Sequence, residues 1–322
     1  MRRRIDCHVH LVGDGSSGSG CQIRMDWPHQ RFLSRLMLRE AGIAPGVLGR
    51  DLDAAYEARL VEQVTESDLD AAVLLAMDFP HTDDGEPIPE KAGFYVPNEY
   101  LFSVCEKHPE LFIPAVSIHP ARTDALEELD RCLERGAKVL KLLPNCLNVD
   151  YADPRYRRFW EKVAEGGLIL LSHTGGEHTL PVLRPEFADP KLLETPLEIG
   201  VTVIAAHAAG KSGLWDPDYT HQLVGMFERF PHLYADNSAL CTLNRSHTIA
   251  RILHEPAMDR LLHGSDFPVP VTGLGPFRHG HIDRHAWQAS RRESHPLQRD
   301  VRLKRAIGFS EETFTRLDTL LA

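Results

Sequence analysis

Two histidines stand one residue apart in "IDCHVH", residues 5–10 of the chain. Imidazole serves as a metal ligand, a proton carrier or a hydrogen-bonded core group, and a lone His-x-His pair does not choose among these. Three more metal-competent side chains close short apolar runs: His173 ends "GLILLSH", His207 ends "VTVIAAH" and Asp266 ends "RLLHGSD". Four imidazoles and one carboxylate gathered in one place suit zinc or another borderline divalent ion. Such an ion lowers the pKa of water from 15.7 toward about 7 and so makes a nucleophile at neutral pH. Asp266 is placed to touch the ion and to take that proton. Asp266 or His207 would then protonate the leaving group.

The elements that must position these groups are legible as apolar runs bounded by turn residues. They are "RIDCHVH" (4–10), "DAAVLLAM" (70–77), "LFIPAVSIH" (111–119), "AKVLKLLP" (137–144), "GLILLSH" (167–173), "VTVIAAH" (201–207), "HLYAD" (232–236) and "RLLHGSD" (260–266). From the fourth onward their starts lie about thirty residues apart, the length of one β-helix-β unit. Helical patterns fill most gaps, as in "DLDAAYEARLVEQVTESD", "TDALEELDRCLERG", "PRYRRFWEKVAEGG", "KLLETPLEIG", "YTHQLVGMFERFP" and "SHTIARILHEP". "TDAL" and "DPRY" offer capping aspartates. Strands apolar on both faces belong to a parallel sheet covered by helices. Eight such units predict an α/β fold, a (β/α)8 TIM barrel in a single domain over residues 1–322, with long loops after strands 1 and 8 (residues 11–50 and 267–298).

Alternation along a strand assigns faces. In strand 1 it sends Asp6, His8 and His10 into the barrel and Ile5, Cys7 and Val9 toward the helices. In strand 4 it sends Lys141 inward with Val139, and Lys138 outward. All the polar strand ends then meet at the C-terminal mouth, where barrel active sites are built.

Composition excludes other classes. The 322 residues are 43% hydrophobic and 25% charged with a net charge of −10 and no Lys/Arg block, which argues against a nucleic-acid partner. The apolar runs are too short to span a bilayer. Strand 1 begins near Ile5 and leaves only "MRRR" before it, so no signal peptide is expected. Six scattered cysteines without a C-x-x-C pair predict reduced, packed thiols of a cytoplasmic protein.

"IDCHVH", "KLLP", "HTGGEHT", "AAHAAG" and "GSDFP", in this order over residues 5 to about 270, resemble the amidohydrolase superfamily, and within it the amidohydrolase 2 branch. The resemblance implies that His8, His10, His173 and Asp266 hold one buried ion, most simply Zn2+, with Mn2+ as another choice. His207 then orients water or polarises the substrate. In binuclear relatives His173 and His207 bind a second ion, and the lysine at the position of Lys141 is carboxylated and bridges the two. Glu177, in "HTGGEHT", is a further catalytic candidate. It lies four residues after His173, where deaminases of the superfamily have a gap of three. Otherwise it is a helix-start glutamate.

The resemblance implies a metal-dependent hydrolase acting through a metal-activated water on a C–O or C–N bond of a small, carboxylated molecule. The alternatives are a non-oxidative decarboxylase of an aromatic or muconate-type acid and a metal-independent lactonase or isomerase. Relatives imply a homo-oligomer whose partner is a small-molecule substrate, with no nucleic acid and no membrane. Arg24 and Trp27 in the first long loop, Arg278 and Arg284 in the last, and Asn145 after "KLLP" are candidates to meet the substrate, since an arginine fork pairs with a carboxylate. His119 and His178 are expected in supporting or loop positions, and His279, His281, His285 and His295 in a solvated loop or lid.

Overall fold

The computed structural model describes residues 2–26, 28–254 and 256–322, so Trp27 lies outside the described residues. Eight parallel strands form one sheet in chain order: β1 (Ile5–His10), β2 (Ala71–Leu75), β3 (Phe112–Val116), β4 (Val139–Leu142), β5 (Ile169–Ser172), β6 (Val203–Ala205), β7 (Leu233–Asp236) and β8 (Leu261–Leu262). The two ends of the sheet meet through Cys7 N–H to His263 O at 2.9 Å, Asp266 N–H to His8 O at 2.9 Å and His10 N–H to Phe267 O at 2.9 Å. The result is the expected TIM barrel.

Two apolar layers hold it. Ile5, Cys7, Val73, Leu75, Val139, Leu171, Ile204 and Leu262 fill the interior, and Leu317 of the C-terminal helix Glu311–Leu320 packs against them. Val9, Leu74, Leu140, Leu142, Leu170 and Val203 face outward into a larger cluster with the helices, among them α2 (Leu52–Thr65), α3 (Asn98–Lys107) and α4 (Ala125–Glu134). All six cysteines are free and buried. Among the described residues no helix is long and apolar enough to cross a membrane.

Strand 1 departs from simple alternation. Its register with β2 shifts between Asp6 and Val9, a β-bulge. Ile5 and Cys7 therefore lie inside the barrel, not against the helices as alternation predicted. Asp6 turns outward, where Lys304 acts on it electrostatically and His263 lies 3.9 Å away. The cause is local. One Asp6 oxygen accepts from His8 N at 3.0 Å and from Ser265 N at 2.9 Å, and a side chain that bonds its own backbone two residues on competes with the ladder. Val9 faces the helices as expected, and His8 and His10 line the mouth.

The two long loops are less irregular than expected. Within 11–50, Gln22–Ile23 pairs antiparallel with Phe94–Tyr95, and α1 (Pro28–Glu40) follows. Within 267–298 lie two helices, Leu274–Arg278 and Arg284–Arg292. Asp153 caps its turn, accepting from Arg155 N, whereas Asp124 of "TDAL" makes no cap bond because Arg122 holds both its oxygens, at 2.8 and 2.9 Å.

The segment "GDGSSGSG" winds around one carboxylate. Asp53, buried in the first turn of α2, accepts from Asp14 N at 2.7 Å, Gly15 N at 3.2 Å, Ser17 N at 3.0 Å, Ser17 Oγ at 2.7 Å and Ser19 Oγ at 2.6 Å. A Cβ on Gly13 would stand 2.7 Å from an Asp53 oxygen, so only glycine lets the loop close here. Burial alone would raise the Asp53 pKa, but these donors hold it down at about 2. Because the folded value is depressed, the stabilisation is complete above the unfolded value of about 4 and is lost as pH falls through about 2. Asp53→Ala leaves these donors unpaired and should destabilise the fold by about 2–4 kcal/mol in urea titrations at pH 7. The difference between variant and wild type should shrink as pH falls from 4 to 2.

Candidate metal centre

The polar strand ends meet at the mouth. His8, His173, His207, Asp236 and Lys141 are almost fully buried there. His8 Nε2 lies 3.3 Å and His10 Nε2 3.1 Å from the same Asp266 oxygen. Ligand atoms of His8, His10 and Asp266 all fall within 4.8 Å of one another. Bonds of 2.0–2.1 Å in a tetrahedron separate neighbouring donors by about 3.3 Å, so the spacing suits one cation. The ring of His207 lies 5.1 Å from that of His8 and 5.0 Å from that of His173. His173 Nε2 is buried without a hydrogen-bond partner, an orphan that a cation would satisfy. His173 is nevertheless not one of the atoms in the close triplet.

A residue the strand pattern offered but chemistry-based reading passed over organises this cluster. Asp236 closes "HLYAD", as His173 and His207 close their runs, so the same signal could have found it. One of its oxygens receives His8 Nδ1 at 2.8 Å. The other accepts from His207 N at 2.7 Å, Ser238 N at 3.0 Å and the Ser238 hydroxyl. An ionised carboxylate only accepts, so His8 donates from Nδ1 and keeps the lone pair of Nε2 for the site. Ser238 gives its proton to Asp236, so His207 Nδ1, 2.8 Å from Ser238 Oγ, is also a donor and its Nε2 is free of a proton.

Charge follows from burial. His8, His173 and His207 are all pushed below the usual imidazole range by burial first, then by Lys141 for His8 and by Arg245 for the other two. Neutral imidazoles are the metal-binding form. Burial would raise Asp266, but the hydrogen bond from His10 and the charge of Lys141 hold it below the usual carboxylate range. His8 and His207 do the same for Asp236. Lys141 points inward as expected, with Nζ 3.3 Å from His8 Nε2. Burial lowers it to about 8 against the pull of Asp236 and Asp266.

The remaining candidates divide. Glu177 lines the pocket, but no helix starts there. One of its oxygens accepts from Thr179 N and, at 3.0 Å, from Leu180 N, while the other is 3.9 Å from His173 Nε2. Arg24 lines the pocket with its Nε 2.7 Å from Asp26, whereas Arg278 and Arg284 are not among the lining residues. Asn145 is buried beside a neighbouring cavity, where its Oδ1 has no partner, and does not line the metal pocket. His119 is bonded to Leu147 O at 2.8 Å and stacks near His81, and His178 pairs with Asp216 at 2.9 Å. His279 and His285 are exposed, and His281 and His295 are half-buried. Arg245, which the sequence did not flag, is buried in the loop after β7. It donates to Gly210 O at 2.8 Å and to Gly176 O, which ties together the loops after β5, β6 and β7.

The role of Asp236 is open to measurement. Asp236→Asn offers its amide N–H to His8 Nδ1 and favours the tautomer with a proton on Nε2. Zinc affinity, measured by competition with a chromophoric chelator, should fall roughly 10–100-fold while the melting curve stays cooperative.

Comparison with known proteins agrees with this geometry. The amidohydrolase family model, Amidohydro_2, matches residues 5–302. No match was found among the curated proteins. Among solved structures, an uncharacterized TIM-barrel protein from Bordetella bronchiseptica aligns at TM-score 0.64 and 16% identity over 98% of this chain and 96% of its own. A probable 2-pyrone-4,6-dicarboxylic acid hydrolase from Acinetobacter baumannii aligns at 0.57 and 15% over 96% and 100%. A 2,6-dihydroxybenzoate decarboxylase from Rhizobium aligns at 0.54 and 12% over 100% and 99%. At these identities the structures speak to the fold, and it is the match over residues 5–302 that decides the family: the chain belongs to the amidohydrolases, and is an enzyme of that family.

Proposed function

We propose that this enzyme hydrolyses a C–O or C–N bond of a small molecule with one divalent cation, zinc, held by His8, His10 and Asp266 and completed by His173. The observation that carries this reading is the single Asp266 carboxylate oxygen shared by His8 Nε2 and His10 Nε2 at 3.3 and 3.1 Å. When bound, the cation supplies Lewis-acid chemistry, polarising an oxygen and lowering the pKa of water. Asp266 is the base that accepts the proton of the attacking water and returns it to the leaving group. His207 presents an unprotonated Nε2 to the pocket and orients the substrate's polar group. The second triplet, His8, His207 and Asp236, is not taken as an ion site, because the Asp236 oxygens are already engaged by His8 Nδ1, the His207 amide and Ser238.

A second reading, non-oxidative decarboxylation, is favoured by Lys141. It places a cation at the pocket floor where a substrate carboxylate would lie, beneath largely apolar walls. Asp266, having taken a proton from water, would then pass it to the carbon from which carbon dioxide departs. Among the structures of similar fold both chemistries occur by name, a probable hydrolase and a decarboxylase.

The test is a panel of esters, lactones, amides and aromatic hydroxy acids offered to zinc-loaded protein, with ester and lactone cleavage followed by pH-stat, amide cleavage by amine release, and carbon dioxide followed separately. Hydrolysis should appear as acid or amine release without carbon dioxide. Asp266→Asn should lower kcat by roughly 10²–10⁴-fold, and chelation should abolish turnover until zinc is restored. Carbon dioxide release without hydrolysis would select the second reading. Turnover that survives both Asp266→Asn and chelation would overturn both.

A further inference from the structure

The pocket above the metal residues is built from two chemically different halves. Most titratable groups near the reacting position, His8, His10, His173, His207, Lys141 and Asp266, come from or directly follow strand ends and form the floor, with Glu177 beside them from the loop after β5. The opposite wall comes from the long segment after β1 and the strand it pairs with. It presents Ile23, Met25, Met37 and Leu38, with Phe94 across the ribbon and Leu180 from the loop after β5. The ring of Phe94 stands edge-on to His10 at 5.9 Å, so the apolar wall begins directly at the floor. The space between the walls, open mouth included, is about 1010 Å³.

Helix α1 supplies part of this wall. Gln30, Ser34, Met37 and Leu38 recur at helical spacing on the pocket side, while Arg31, Arg35 and Arg39 lie on the exposed side. The Ser34 hydroxyl is occupied by Arg31 O at 3.1 Å and by the Met25 sulfur at 2.6 Å. Arg24, the one cation on this wall among the described residues, is paired with Asp26. Among those residues a charged group carried past the floor would thus meet no opposite charge that is not already engaged, and would lose water without compensation.

We infer that the substrate has an uncharged apolar body, an alkyl or aryl group, and that Met37 and Leu38 of α1 together with Phe94 determine its size. Its polar, reacting end alone lies on the floor. This deepens the hydrolase reading, from which the position of the reacting end is taken. The walls act on the body of the substrate whichever bond is broken. A carboxyl group, if the substrate has one, belongs at the floor beside Lys141 and not at the far end. Apolar contact of this kind tightens binding in proportion to the area covered, and flexible methionines accommodate different shapes.

The test uses binding, which does not depend on turnover. The neutral dye N-phenyl-1-naphthylamine is bound to the full-length protein, with and without zinc, and displaced by n-alkanols from butanol to decanol. Competition should tighten by about two- to fourfold per methylene until the pocket is full. α,ω-Dicarboxylates, which cannot keep both charges on the floor, should compete at least about tenfold more weakly than alkyl monocarboxylates of equal length. Met37→Glu should flatten the dependence on chain length, and Phe94→Ala should extend it to longer alkanols, with melting curves recorded for both. Affinity independent of chain length in the wild type, equal competition by the dicarboxylates and monocarboxylates, or an unchanged dependence in folded Met37→Glu and Phe94→Ala proteins would overturn the inference. Chain-length selection without hydrolysis of any ester or amide would leave it standing and count against the hydrolase reading alone.

Discussion

Two backbone amides, of His8 and Ser265, converge on one oxygen of the buried Asp6 carboxylate, at 3.0 and 2.9 Å. The rest of the site depends on this contact. It holds the bulge in β1, and the bulge lets Cys7 fill the core while the next residue, His8, still reaches the mouth. It also joins the first strand to the last where the barrel must close. A Cβ on Gly264 would stand 2.9 Å from that of His8, so the two strands approach as closely as glycine allows. His8 and His10 come from one side of that seam and Asp266 from the other. Their meeting is a property of the closed barrel and not of either strand.

Closure has an energetic consequence. His207 and Asp266 both adopt positive φ, 58° and 66°, a conformation that costs non-glycine residues about 1–3 kcal/mol each. Asp236 offsets the first by accepting the His207 amide, and His8 O offsets the second by accepting the Asp266 amide at 2.9 Å. The strain aims both side chains at the mouth. It is held by groups that also set protonation: Asp236 assigns the His8 tautomer while burial keeps the imidazoles neutral. Arg245 adds a buried positive charge that favours the same neutral form of His173 and His207, and it fastens the loops that carry them. Orientation, protonation state and loop geometry therefore rest on a shared set of buried contacts.

The division between polar floor and apolar wall gives this network its strength. Charges act over a greater range where water is excluded. The wall supplied by α1 and the Gln22–Ile23 ribbon shields the floor, so Asp266, Lys141 and the imidazoles influence one another strongly. The segment that does this is tied down at its start by Asp53, far from the chemistry. The carboxylate under "GDGSSGSG" is thus an anchor for the wall, and Tyr56 of the same helix donates to His10 O at 3.0 Å.

The eight strands, most of the helices between them and the metal-type residues at strand ends were legible in the sequence, because apolar runs and their polar terminators are local patterns. Lys141 was placed inward correctly for the same reason: β4 alternates without interruption. Alternation failed in β1 because the bulge is set by a bond between Asp6 and Ser265, 259 residues apart. Helix α1 was hidden because its apolar face covers a pocket made by other strands and has no core of its own to announce it. Asp236 carried the right signal at the right strand end, but its partners His8, His207 and Ser238 identify its role, and only folding brings them together. The sequence by itself thus determined which side chains arrive at the mouth. Tertiary structure decided their facing, tautomers and companions, since those depend on hydrogen bonds and excluded water between segments that share no local pattern.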